Sequence, residues 1–73
     1  MIEVRFFATF REGRGKSVFL DSSDYDSIGK ILKHFHITRG EVAILLLNGL
    51  YIESDAPVTD GDAVALFPPV GGG

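Results

Sequence analysis

The chain has no cysteine. That excludes disulfides, thiolate metal sites and a cysteine nucleophile, so any sulfur chemistry must run through another atom; the absence also suits a reducing compartment. Nor is there a cluster of Lys and Arg of the kind that neutralises phosphates. Seven basic residues stand against ten acidic ones, a formal charge of −3, which argues against nucleic acid as a ligand. No apolar stretch is long enough to span a bilayer. Met1-Ile2-Glu3-Val4-Arg5 alternates charged with apolar residues instead of giving a basic start and an apolar run, so the sequence reads as cytoplasmic with no membrane partner. Length is scarce as well: 73 residues make one domain near the lower limit of folding without staples, with no room for an enzyme's own deep cleft. What remains is ordinary for a globular domain, since 45% hydrophobic and 23% charged residues are unlike a disordered chain.

Along the chain, Ile2, Val4, Phe6, Ala8 and Phe10 alternate with Glu3, Arg5, Phe7, Thr9 and Arg11, the period-two pattern of a half-buried strand whose first set faces the core. Glycines mark a turn over residues 12–16, and Ser17-Val18-Phe19-Leu20-Asp21 can fold back as a hairpin with Val18 and Leu20 inward. Asp24, Asp26 and Ser27 offer caps before Ile28, Ile31, Leu32 and Phe35, whose spacing predicts one amphipathic helix ending near Ile37. Gly29 weakens that helix by roughly 1 kcal/mol relative to Ala, so packing must hold it. The apolar run 42–47, bounded by Gly40 and Asn48-Gly49, reads as a strand. Asn48-Gly49 favours a type I′ turn into a short return strand at 50–52, and Asp60-Gly61 turns the chain into a last strand at 63–67. A hairpin, a helix and returning strands make one two-layer α+β domain in β-grasp layout, a mixed sheet of four to five strands packed on one main helix. The domain covers residues 1–67, and 68–73 form a tail.

That tail, Pro68-Pro69-Val70-Gly71-Gly72-Gly73, has its own chemistry. The prolines cannot donate to a ladder and act as a stiff spacer. Gly71, Gly72 and Gly73 have no Cβ and fit a narrow cleft where any side chain clashes. Extended, the six residues after Phe67 reach roughly 20 Å at about 3.3–3.6 Å per residue, enough to carry a terminal carboxylate into another protein's active site.

Three segments in fixed register, Phe6-Phe7-Ala8-Thr9-Phe10-Arg11-Glu12, Asn48-Gly49 and Thr59-Asp60-Gly61-Asp62-Ala63-Val64-Ala65-Leu66-Phe67-Pro68-Pro69-Val70-Gly71-Gly72-Gly73, resemble the MoaD/ThiS family of ubiquitin-like sulfur carriers nearly end to end. The likeness is greatest to its molybdopterin synthase branch. It implies that the Gly73 carboxylate is adenylated by an E1-like enzyme that uses ATP, converted to a thiocarboxylate with sulfur from a persulfide donor protein, and delivered to a synthase large subunit. The chain itself would hold no tight cofactor and would catalyse nothing alone. Two prolines speak against the thiamine branch, while tungsten-cofactor carriers and ubiquitin-like modifiers joined to lysines have similar ends. The residues agree that ATP binds elsewhere, because Gly13-Arg14-Gly15-Lys16-Ser17 lacks the spacing of a phosphate-binding loop and suits a hairpin turn.

Other candidates carry less. His34 and His36 are two apart, on different sides of a helix, and read as surface residues rather than metal ligands. Asp21, Asp24 and Asp26 lack the glycine and distal Glu of a calcium loop. Arg11 and Glu12 read as an ion pair at a turn edge. The sheet face away from the helix is different: Phe7, Phe19, Ala63, Ala65 and Phe67 all point that way if their neighbours face inward, which predicts an apolar partner-binding patch beside the tail.

Overall fold

Alternation of side chains builds the first layer. Ile2, Val4 and Phe6 of β1 (Ile2–Phe6) are fully buried while Glu3 and Arg5 face the other way. A computed structural model describes residues 1–69; Val70, Gly71, Gly72 and Gly73, on which much of the tail reading falls, lie outside the described residues. β2 (Ser17–Leu20) returns antiparallel to β1, with Val4 opposite Val18 and Ile2 opposite Leu20. α1 (Ile28–His34) crosses the inner face, followed by the hairpin of β3 (Ile44–Leu47) and β4 (Leu50–Tyr51) and by β5 (Ala63–Phe67). The sheet order is β2-β1-β5-β3-β4, with β5 parallel to β1 and antiparallel to β3. This is the β-grasp, ubiquitin-like topology: the last strand of the chain is the central one, so the residues after it start from the most firmly held part of the sheet.

The core lies between α1 and the inner face. Val64 and Leu66 of β5 and Ile28 and Ile31 of α1 are fully buried, with Leu32, Ile37, Leu45 and Val58 around them. Phe35 at the helix end packs edge-on to Phe6, ring centroids 4.9 Å apart. Arg14 ties the hairpin turn to that end, donating to the carbonyls of Phe10 and Phe35, 3.2 Å each. Ser27 is the N-cap, its hydroxyl accepting from the Lys30 N–H; Asp26 instead pairs with Lys30 at 3.0 Å. Both central residues of the Asn48-Gly49 turn have positive φ, 51° and 83°, as a type I′ turn requires.

Three expectations need correction. β1 ends at Phe6, and Ala8–Arg11 form a 3-10 turn. Ala8 is therefore exposed, while Phe10 still reaches the core. The helix stops at His34, not Ile37. The Ile37 N–H bonds back to the Leu32 carbonyl (2.9 Å) and the His36 N–H to that of Lys33 (3.1 Å), with His36 at φ 58°. That is a Schellman ending in which His36 takes the left-handed position usually given to glycine. Finally, Arg11 does not pair with Glu12; its Nε donates to the Phe6 carbonyl at 2.9 Å.

Candidate functional site

The site grows from the end of β5. Val64 and Leu66 point into the core, so Ala63, Ala65 and Phe67 must point out, and all three are half-buried. The Phe67 carbonyl accepts from the Ala43 N–H at 2.8 Å and the Leu66 carbonyl from the Phe7 N–H at 3.2 Å, so the β3 side holds β5 to its last residue and the β1 side to the residue before it. Pro68 and Pro69 bring no N–H, and the ladder stops there. The chain leaves the sheet at a fixed point.

Aromatic stacking marks that point. Phe7 and Phe67 lie with centroids 4.1 Å apart and planes 9° from parallel, an arrangement worth about 0.5–1.5 kcal/mol beyond area burial. The Arg11 guanidinium sits 5.4 Å from the centre of the Phe7 ring while its Nε holds the Phe6 carbonyl, so the cation caps the stack from the chain's own turn. Ala8, next to the stack, has φ 53°, uncommon for a residue with a Cβ.

Two hollows flank the stack. One, of about 390 Å³, is bounded by Arg5, Phe7, Leu46, Asn48, Ala65 and Phe67. The other, of about 270 Å³, lies under Ala8, Thr9, Ala43, Ile44 and Phe67 and runs to Pro68 and Pro69. The floor is apolar and its polar edge is organised. Asn48 donates from Nδ2 to Asp62 Oδ1 (3.0 Å) and accepts at Oδ1 from the Ala63 N–H (2.9 Å). The Asn48 bond first, and the Thr59 N–H second, hold the Asp62 carboxyl below its ordinary value. Glu3 is likewise lowered, chiefly by its bond to Arg5.

The structure thus brings Phe7, Ala65, Phe67 and the prolines together. Phe19 it does not. Phe19 is 60% exposed on β2 opposite Glu3, and the Glu3–Arg5 pair, 2.9 Å apart, lies between it and the stack. Ile44, Leu46 and Arg11 belong to the site but were missed. Ile44 and Leu46 face outward from a continuous apolar run, where period-two alternation is invisible. Only pairing with Phe67 and Ala65 gives their facing. His34 and His36 sit apart in role: the Tyr25 hydroxyl lies 2.8 Å from His34 Nδ1, and among the described residues no group of His, Asp and Glu could hold a metal ion. No helix among the described residues is long and apolar enough to cross a membrane.

The described residues thus form a ubiquitin-like domain whose central strand ends in an aromatic stack and a proline pair. The family model of the ThiS family matches residues 4–73; the chain belongs to that family. It is 35% identical to the molybdopterin synthase sulfur carrier subunit of Escherichia coli K12 over the full length of both chains. It is also 32% identical to small archaeal modifier protein 3 of Haloferax volcanii, over 99% of this chain and 98% of that one. Among solved structures, the complex of subunits 1 and 2 of the molybdopterin-converting factor from Helicobacter pylori contains a chain that is 31% identical, with TM-score 0.61 over 99% of this chain and 97% of that one.

Proposed function

We propose that this chain is a sulfur carrier for molybdopterin-type cofactor synthesis, with the Gly73 carboxylate as its working group. A carboxylate resists sulfur nucleophiles because it is anionic and has no good leaving group. Its oxygen therefore attacks the α-phosphate of ATP on a separate activating enzyme, and pyrophosphate leaves. A persulfide sulfur of the donor protein displaces AMP from the acyl carbon. A donor-protein thiol then attacks the inner sulfur of the acyl persulfide, forming a disulfide and leaving the outer sulfur on the acyl carbon as the Gly73 thiocarboxylate. Delivery to a synthase large subunit returns the free carboxylate. Gly71 and Gly72 let the end enter two successive active sites, Val70 follows the spacer, and Pro68-Pro69 hold the end away from the body.

The observation that supports this reading most is the way β5 finishes. It is bonded through Leu66 on the β1 side and through Phe67 on the β3 side, stacked on Phe7, and then stripped of donors by two prolines. The face with Phe7, Ala65 and Phe67 is the docking surface in this reading, and the synthase complex from Helicobacter pylori supports a large-subunit partner. Phe19 is outside that contact and has at most a peripheral part.

The test is reconstitution with an adenylating enzyme, ATP and a persulfide donor, followed by intact mass. Sulfur should replace one oxygen on the full chain and on none of the variants that lack Gly73 or carry one extra residue after it. Sulfur uptake by the extended, uncleaved variant would overturn the terminal-acyl mechanism. A second reading, a modifier joined to lysines, draws on the likeness to small archaeal modifier protein 3. It calls for higher-mass conjugates whose digests carry glycine remnants on lysine side chains, and for their loss when Gly73 is removed.

A further inference from the structure

The helix side carries a second feature, unrelated to the tail. A shallow open groove of about 490 Å³ runs along α1 and the turn after it, with Gly29, Leu32 and Ile37 as its floor and Lys33, His36 and Arg39 around it. No carboxylate lines it, although the chain is net acidic. Of the carboxylates around it, Glu41 accepts from the Thr38 N–H and hydroxyl at 2.9 Å each and Asp26 pairs with Lys30, while the exposed Glu53 and Asp55 flank Ser54 without lining the groove.

Two of the lining residues are poor choices for stability. Gly29 lies in the first turn of α1, where alanine is the better helix former. A Cβ there would meet only the Ser54 carbonyl at 3.6 Å and Ser27 Oγ at 3.9 Å, ordinary contact distances, so packing does not demand glycine. His36 occupies a left-handed position, φ 58°, where glycine would be unstrained. A glycine where alanine suits, and a histidine where glycine suits, both border one groove. Departures from local preference of this kind gather at functional sites. The first keeps the floor open, and the second places an imidazole donor at the rim.

We infer that this groove is a second interaction surface, taking an acidic segment of a partner protein that inserts one aliphatic side chain onto Leu32 and Ile37 and sets carboxylates against Lys33, His36 and Arg39. Complementarity of charge sets the class of partner. The groove lies on the layer opposite the outward sheet face, so it stays open while that face and the tail are engaged, and the inference does not depend on the fate of Gly73.

The probe is a capped acidic peptide, acetyl-Glu-Glu-Leu-Glu-Glu-amide, titrated into the full chain and followed by heteronuclear NMR. Saturable shifts should appear at Leu32, Lys33, His36, Ile37, Arg39 and Ser54, with a dissociation constant on the order of 1 mM or tighter, and not at Phe7 or Ala65. Lys33→Glu should weaken binding about fivefold or more, and salt should do likewise. Gly29→Leu should close the floor and His36→Gly remove the donor, each lowering affinity while melting temperature holds or rises. Absence of saturable shifts in the groove would overturn the proposal. So would equal binding of the lysine counterpart of the peptide, tighter binding of a single-stranded oligonucleotide, or unchanged affinity in all three variants.

Discussion

The two faces of the sheet are made by alternate residues of the same strands, yet they differ in almost everything else. On the inner face Ile2, Val4, Phe6, Val64 and Leu66 are fully buried against α1. On the outer face their neighbours Glu3, Phe7, Ala63, Ala65 and Phe67 are half-buried, and Arg5 is exposed. The inner face supplies the cohesion of a small domain that has little to spare, since such domains are stable by only about 5–15 kcal/mol. The outer face leaves apolar surface uncovered next to the point where the tail departs. Core cohesion and uncovered apolar surface are thus separated by a single residue step along β1 and β5.

That separation can be broken most forcefully from the inside. Phe6→Ala removes a fully buried ring that also meets Phe35 edge-on, and should cost about 3–5 kcal/mol in a denaturant titration, enough to unfold much of the population. The outer face should respond in the opposite way. Phe67→Glu or Phe7→Glu forfeits the stack, about 0.5–1.5 kcal/mol, and leaves unfolding cooperative. Binding to a synthase large subunit should nevertheless fall by tenfold or more, as expected of an aromatic anchor, a change of about 1.4 kcal/mol or greater. Phe19→Glu, beyond the Glu3–Arg5 pair, should leave that binding within about twofold. Loss of folding in Phe7→Glu would place that ring in the core and remove the distinction.

A smaller effect belongs to the polar edge of the outer face. Asp62 is held below its ordinary value by Asn48 and by the Thr59 N–H. A carboxyl depressed in the folded state stabilises above its unfolded value of about 3.9 and loses that contribution as pH falls through the lower folded value. Asp62→Asn should therefore flatten the loss of stability in acid below about pH 4, seen as melting temperature against pH. The smallest effect is at Ala8, whose φ of 53° glycine adopts freely. Ala8→Gly should not destabilise, and a gain of about 0.5–1 kcal/mol measures the strain held beside the stack.

Much of this separation can be read in the sequence, because a period of two assigns the faces directly wherever apolar and other residues alternate. Residues 2–6 and 63–67 do so, and two turns are legible as well, Asn48-Gly49 joining β3 to β4 and Asp60-Gly61 leading into β5. The reading fails where another geometry gives the same pattern. A 3-10 turn from Ala8 to Arg11 returns Phe10 to the core as a continued strand would, so alternation could not mark the end of β1. The helix end was hidden because its left-handed residue is His36 instead of glycine. The patch was half legible: facing follows from the strand pattern, but distance across the sheet follows from strand order, and strand order puts β1 between Phe19 and Phe67. Ile44 and Leu46 were hidden in a run with no alternation. The groove on the helix side left no motif, since it is assembled from a helix, a cap and the loop at Ser54.

The comparison of the two faces has meaning only if the chain presents something chemically active. The most direct measurement is the intact mass of the chain isolated from its own cells under conditions that spare thioacids. A fraction of it should carry one sulfur in place of one oxygen, localised by fragmentation to Gly73, and deletion of Gly73 should abolish that form. Abundant conjugates through Gly73 on lysine side chains, with no sulfur-bearing chain, would contradict the carrier account.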